Sequence, residues 1–124
     1  MGTGYFTQPS LCADRIVFVC EDDLWEVDSS GGQARRLTNS RSEIKTPYLD
    51  PSGKWIACCA KEEGDPDVYL MSADGGPLTR LTWLNSVTRI VGWTPDGSSI
   101  LFHSIHQAVH HRGSDAWLSK VGVD

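Results

Sequence analysis

Four histidines near the end of the chain are the residues whose type and spacing could do chemistry. They are His103, His106, His110 and His111. Imidazole nitrogens bind zinc, copper or nickel, and several of them in one segment could converge on one ion. A histidine group without cysteine or aspartate partners is more typical of a polar loop. We therefore expect no resident metal or other cofactor. His103 should belong to a strand, whereas the other three histidines lie in a mobile surface loop over 105–114.

The acidic run Glu21-Asp22-Asp23 is the second candidate site. Calcium takes about six to eight oxygen ligands, and this run offers too few at suitable spacing. Asp23 also has counterparts in Asp67 and Asp115, each at the start of a similar strand-like run. A role repeated by the fold is structural, so we interpret Asp23 as bonding to local backbone amides.

Motifs for catalysis are absent from the sequence. It contains no Gly-x-Ser-x-Gly, no P-loop, no His-Glu-x-x-His and no glycine-rich dinucleotide fingerprint. The serines and histidines do not occur in a context in which one would activate the other. We assign no catalytic and no cofactor-binding residue to the chain.

The four cysteines, Cys12, Cys20, Cys58 and Cys59, do not have zinc-type spacing. Cys58 and Cys59 are adjacent in a strand-like run, so their side chains must point to opposite faces of a sheet. We expect all four to be reduced and to act as small hydrophobic residues.

The charge and hydropathy of the chain limit the classes of partner and the cellular compartment that we expect. The net charge of −5 and the pI of about 5.2 argue against a nucleic-acid partner, which needs a basic face. No secretory signal and no apolar stretch of membrane-spanning length is visible, so we expect no membrane contact and a cytoplasmic protein.

The elements that would position any site recur every 44 residues. Asp23 returns as Asp67, and Leu37-Thr38 returns as Leu81-Thr82. The pattern of each unit predicts strands joined by short turns, with a Gly-Gly hairpin turn before the last strand. Four antiparallel strands per unit make one blade of a β-propeller.

The repeat predicts an all-β fold of eleven strands, in which the third blade lacks its outer strand. The whole of 1–124 is one propeller segment, with blades at about 4–40, 41–84 and 85–124. Apolar residues at equivalent positions predict the core. The predicted core is Val17, Phe18, Trp25, Leu37, Ile56, Tyr69, Leu70, Leu81, Trp93, Leu101 and Trp117. We also assign Tyr48, Trp55 and Trp83 to contacts between blades.

Two motifs carry a family resemblance. Thr94-Pro-Asp-Gly97 and the Asp67-Val-Tyr-Leu-Met71 strand resemble the PD40 or TolB-like propeller repeat. The opening, Gly4-Tyr-Phe-Thr-Gln-Pro-Ser10 followed by Asp14-Arg-Ile-Val-Phe-Val-Cys-Glu-Asp-Asp-Leu-Trp25, looks like the start of tricorn-type proteases. In that family the segment begins a six-bladed N-terminal propeller, and the peptidase centre lies in other domains. The resemblance therefore implies a propeller without catalytic residues.

Three functions remain open from the sequence. The first is a non-catalytic propeller module that binds peptides or proteins and associates with itself. The second is a portion of the N-terminal propeller of a tricorn-like serine protease, which would channel peptides. The third is metal binding by the histidine segment.

The predicted partner of the chain is a second copy of itself. Closed propellers have typically four to eight blades, and an open array leaves an apolar face at each end. Two copies joined head to tail would give six blades. The contact would lie between the first blade of one copy and the third blade of its partner.

Overall fold

A computed structural model describes residues 6–38, 42–61, 66–84, 87–107 and 114–123. Within those ranges the chain forms eleven strands and no helix. The first sheet has the order β1 (Phe6–Cys12), β2 (Arg15–Cys20), β3 (Asp23–Asp28), β4 (Arg35–Arg36). The second has β5 (Glu43–Leu49), β6 (Trp55–Lys61), β7 (Asp67–Ser72), β8 (Thr79–Arg80). The third has β9 (Val87–Trp93), β10 (Ser99–Gln107), β11 (Ser114–Gly122). All neighbouring strands are antiparallel, which confirms the predicted blades of four, four and three strands.

Glycine turns join the first two strands of the second and third blades. Gly53 and Gly97 have φ angles of 75° and 74°, in the left-handed region that glycine enters without steric cost. The Asp50 carboxylate closes the first turn by accepting the Trp55 backbone N–H at 3.0 Å. The Thr94 hydroxyl takes the equivalent place in the third blade and accepts a backbone N–H at 3.1 Å. The repeated turn therefore has the same geometry with two different acceptors.

The first strands of the three blades lie side by side, with β5 between β1 and β9. The pairing of each strand contains a register shift, and at the shifts in β1 and β5 a side chain reaches the next blade. The Thr46 backbone N–H donates to the Gln8 side-chain oxygen at 2.6 Å, and the Ile90 backbone N–H donates to the Thr46 hydroxyl at 3.2 Å. These bonds connect the three blades in series.

The second blade is buried on both faces because it lies between the other two. Alternate side chains of β6 enter two different hydrophobic clusters. Ile56, Cys58 and Ala60 pack with the first blade, whereas Ala57 and Cys59 pack with the third. The expectation that the adjacent cysteines point to opposite faces is confirmed.

The predicted core residues are fully or partly buried wherever their side chains are described. Val17, Phe18, Leu37, Ile56 and Tyr69 are buried. Another five are partly buried: Trp25, Leu70, Leu81, Trp93 and Leu101. Trp25 and Leu101 lie on the outward faces of the first and third blades. The other three pack against the margin of the second cluster. The Trp117 side chain lies outside the described part.

Three aromatic residues assigned to contacts between blades are exposed instead. Trp55 is 46% exposed, Trp83 is 71% exposed and Tyr48 is also exposed. Trp55 is the first residue of β6, beside the turn, and Trp83 follows β8 on the connection to the third blade. The Trp83 ring contacts a cation, since the Arg80 guanidinium lies 5.4 Å from its centre.

The predicted loop over 105–114 is shorter than expected. Residues 105–107 continue β10 and pair with 114–116 of β11, so the inserted residues lengthen a hairpin. His106 is therefore a strand residue, which corrects its assignment to a loop. Residues 108–113, which include His110 and His111, lie outside the described ranges, and the expected mobility stays a prediction there.

Candidate functional site

The outward face of the third blade, which we call the trailing face, is exposed, whereas the equivalent faces of the first two blades are buried. It consists of Arg89, Leu101, His103, Leu118 and Lys120. Leu118 pairs with His103 in the same way as Val68 pairs with Cys59 and Leu24 with Val19. Leu118 is 69% exposed, whereas Leu24 and Val68 are 0% exposed. In the first two blades the following blade covers this position, and in the third blade nothing in the described chain does.

The outward face of the first blade, which we call the leading face, is mostly apolar. Its apolar residues are Leu11, Ile16, Phe18, Cys20, Trp25 and Val27, and the Asp23 carboxylate lies on the same face opposite Cys20. Phe18, Cys20 and Asp23 are already buried within the chain, so the open part of the face is formed by the other four residues. Leu11 is 65% exposed, while Leu49, at the same place beside the first turn of the second blade, is 8% exposed. Trp25 is half-buried, whereas its counterpart Tyr69 is buried against the first blade. The leading face thus matches a surface that a preceding blade covers elsewhere in the chain.

An Asp–Thr–Arg cluster, which we call the clasp, holds the outer strand of the first blade. The Thr38 hydroxyl donates to the Asp23 carboxylate at 2.6 Å and accepts the Leu24 backbone N–H at 3.0 Å. The Arg36 guanidinium also donates to Asp23. The structural role predicted for Asp23 is supported, but its partners are side chains from the outer strand rather than local backbone amides.

The clasp recurs in the second blade at the 44-residue period. The Thr82 hydroxyl donates to Asp67 at 2.8 Å and accepts the Val68 backbone N–H at 3.0 Å, and Arg80 pairs with the same carboxylate. Asp67 also accepts the Leu84 backbone N–H at 2.9 Å. The predicted equivalence of Asp115 with Asp67 is wrong: Asp67 lies opposite Ala60, whereas Asp115 lies opposite His106, and the longer β10–β11 hairpin puts Trp117 at the equivalent place opposite Ser104. The Asp115 side chain itself lies outside the described part. The Asp23 and Asp67 carboxylates thus accept hydrogen bonds from donors of their own blades.

An ionic cluster closes the groove between the first and second blades. Glu26 pairs with Arg15, Nε to Oε2 at 3.2 Å, and with Arg35. Arg15 also donates to the Gly53 carbonyl and the Asp74 carboxylate of the second blade, each at 3.4 Å. Arg15, Glu26 and Arg35 also line a cleft of about 340 Å³, whose lining residues all belong to the first blade. The Arg15 donors are engaged with protein groups, so the cluster joins two blades.

The histidine hypothesis has no geometric support in the described ranges. His103 lies on the trailing face, half-buried, and its strand partners are Arg89 and Leu118. The side chain of His106 and all of His110 and His111 lie outside the described part. Among the described residues, no group of three His, Cys, Asp or Glu side chains could hold a metal ion.

All four cysteines are free thiols. Burial raises the pKa of the Cys58 thiol far above its ordinary value, and the neighbouring Cys59 raises it further. Burial also raises the pKa of Cys59, against a hydrogen bond with Thr46 that lowers it. Neither thiol is a nucleophile at neutral pH.

The residues that mark the candidate faces were mostly missed by the sequence analysis. Leu11, Leu118, Arg89 and Lys120 were not singled out, because an exposed apolar or charged residue looks ordinary in a sequence. Leu118 is six residues out of register with the 44-residue repeat, since Val68 would return at 112. Only the strand pairing identifies it as the counterpart of Val68. The clasp could have been predicted from the sequence, because Asp23 and Leu37-Thr38 recur together as Asp67 and Leu81-Thr82.

No helix in the described ranges is long and apolar enough to span a membrane.

The family model for the tricorn protease N-terminal beta propeller domain matches residues 3–124. Tricorn protease homolog 1 of Streptomyces coelicolor is 30% identical over 121 residues, 97% of this chain and 11% of that protein. The chain therefore spans a small part of this curated relative.

Solved structures support the same fold. The crystal structure of the tricorn protease superimposes with a TM-score of 0.68 at 26% identity, over 86% of this chain and 11% of that one. A TolB-type protein from Agrobacterium tumefaciens superimposes with a TM-score of 0.78 at 20% identity, over 98% of this chain and 46% of that one. The predicted TolB-like propeller is confirmed. The chain belongs to the tricorn protease N-terminal β-propeller domain family.

Proposed function

We propose that this chain is a non-catalytic propeller module that acts through its two end faces, which bind further blades and so close a ring. The observation that carries the proposal is the exposure of Leu118, whose counterparts in the first two blades are fully buried. Burying one leucine side chain stabilises a contact by about 1.5–3 kcal/mol. Leu11 on the leading face offers a similar gain.

For the isolated chain, the partner is a second copy. The leading face of one copy packs on the trailing face of the other, and the same contact repeats about a twofold axis. Such a head-to-tail contact closes after two steps and gives six blades. This geometry is supported by the match of each end face to a surface that is covered between blades of the same chain.

A role in a tricorn-type peptidase system is the second candidate, and family membership favours it. The chain would then supply half of a ring through which peptides pass, while catalysis is performed by other domains. A cytoplasmic location belongs to the same proposal and is supported by the four free thiols, since reducing compartments keep cysteines unpaired.

Sedimentation velocity of the isolated chain tests the proposal. We expect a species of twice 13.6 kDa at micromolar concentration. Leu118→Asp and Leu11→Asp should each give a monomer, because each places a charge in an apolar contact. Trp83→Asp is the matched control: it removes an equally exposed apolar side chain away from both faces, and should leave the dimer intact.

Mixing the two variants tests the head-to-tail arrangement. A pair of one Leu11→Asp chain and one Leu118→Asp chain has one doubly substituted contact and one wild-type contact. The mixture should therefore associate more tightly than either variant alone. A monomeric wild-type chain, or a Trp83→Asp variant that dissociates as readily as Leu118→Asp, would contradict the proposal.

A further inference from the structure

His103 occupies a position that ring closure buries. Its counterparts by strand pairing are Val19 in the first blade and Cys59 in the second, and both are buried by the blade that follows. His103 itself is half-buried on the uncovered trailing face. A blade docked on this face would therefore remove the imidazole from water, as it does the two apolar counterparts.

The neighbours of His103 on its own blade are either cationic or apolar. Arg89 of β9 is its direct strand partner on one side, and Leu118 of β11 is its partner on the other. Lys120 lies diagonally across on β11, within reach of a long side chain. No carboxylate is among the five residues of this face. A positive charge on His103 would be repelled by Arg89 and Lys120.

The leading face of a second copy offers no free counter-charge. Its residues are apolar apart from the Cys20 thiol and the Asp23 carboxylate. The nearest carboxylate, Asp23, already accepts from Thr38 and Arg36, and the Arg36 guanidinium adds another positive charge. An imidazolium enclosed between these two faces would be desolvated beside cations and without a partner, which is costly.

We propose that a second copy docks on the trailing face only while His103 is neutral, so that acidification opens the ring. This inference rests on the proposed function, because it concerns the same contact. Histidine is the side chain whose charge most readily changes between pH 5 and pH 8, so a contact that excludes the charged form responds in that range. If only the neutral form is compatible with closure, lowering the pH from 7.5 to 5.5 weakens each contact about tenfold. Two contacts per ring give about a hundredfold weaker dimer.

Sedimentation equilibrium between pH 7.5 and pH 5.5 measures the effect. We expect a dimer dissociation constant about a hundredfold higher at pH 5.5. His103→Gln, which stays neutral, should bind almost equally at both values. A variant with His106, His110 and His111 all changed to Gln should keep the full pH dependence. Tryptophan fluorescence of the monomeric Leu118→Asp variant at both pH values shows whether the fold itself is unchanged.

The outcomes separate this inference from the proposed function. Absence of a dimer at every pH removes both. A wild-type dimer of equal strength at pH 7.5 and 5.5 removes the inference and leaves the proposed function in place. A dimer that tightens on acidification also overturns the inference, because it would require a carboxylate against His103. A His103→Gln dimer that retains the pH dependence has the same consequence.

Discussion

Thr82→Val isolates the contribution of the clasp to stability. The substitution keeps the shape of the side chain and removes its hydroxyl. The backbone N–H of Val68, a residue that is fully buried, then loses its acceptor, and Asp67 loses one of its donors. A buried donor without a partner costs about 1–3 kcal/mol, and a hydrogen bond to a charged group contributes about 1.5–3 kcal/mol. Because Asp67 keeps Arg80 and the Leu84 N–H, we expect a total loss of about 2–4 kcal/mol.

Urea unfolding followed by tryptophan fluorescence measures this loss. All variants must be compared at one protein concentration, because association adds to apparent stability. Thr79→Val is the matched control: Thr79 lies on the same outer strand but is exposed, so it should change the free energy of unfolding by less than about 0.5 kcal/mol. Thr38→Val should repeat the loss in the first blade. Equal effects of Thr82→Val and Thr79→Val would refute a stabilising role for the clasp.

Three further predictions concern the turns, the thiols and acid stability. Gly97→Ala should cost about 1 kcal/mol in a thermal melt, because φ is 74° there while the nearest atoms would be 3.7 Å from the new Cβ; an unchanged melting temperature would contradict this. Cys58 and Cys59 should resist iodoacetamide in the native protein at pH 8, as measured by mass spectrometry, since burial raises both pKa values; rapid labelling of either would count against it. A backbone hydrogen bond from Ser98 and side-chain bonds from Thr94 and Ser98 lower the pKa of Asp96 to about 2, so below about pH 4 the unfolded chain binds more protons than the native one. The urea midpoint should therefore fall between pH 4 and pH 2, and less steeply in Asp96→Asn; parallel slopes would exclude this carboxylate as a cause.

Much of the fold could be predicted because the repeat encodes local geometry. A glycine that must take a positive φ, as at Gly53 and Gly97, marks the same turn in two blades. The alternation along β6 placed Cys58 and Cys59 on opposite faces before any packing was known. Turn chemistry and strand period depend on neighbours in sequence, so one sequence is sufficient to read them.

Burial and partner choice depend on residues distant in sequence, and there the predictions were least exact. Trp25 and Tyr69 are equivalent in the repeat, yet within the described ranges only Tyr69 has a preceding blade that buries it fully. Asp23 was expected to bond to nearby amides, whereas its partners come from 13 and 15 residues away. The 44-residue repeat does not predict the trailing face, because the longer β10–β11 hairpin shifts Leu118 out of register with Val68.

The hydrogen bonds that the Thr46 backbone N–H donates to Gln8 and the Ile90 backbone N–H donates to Thr46 have a consequence for how the chain opens. In a linear array, each unit is stabilised by its own folding energy and by the interfaces with its nearest neighbours. The second blade has two such interfaces, and the first and third have one each. In the monomer, we therefore expect fraying to start from either end and to reach β6 last. The slowest amide exchange is expected at Ala57 and Cys58, in the middle of the array.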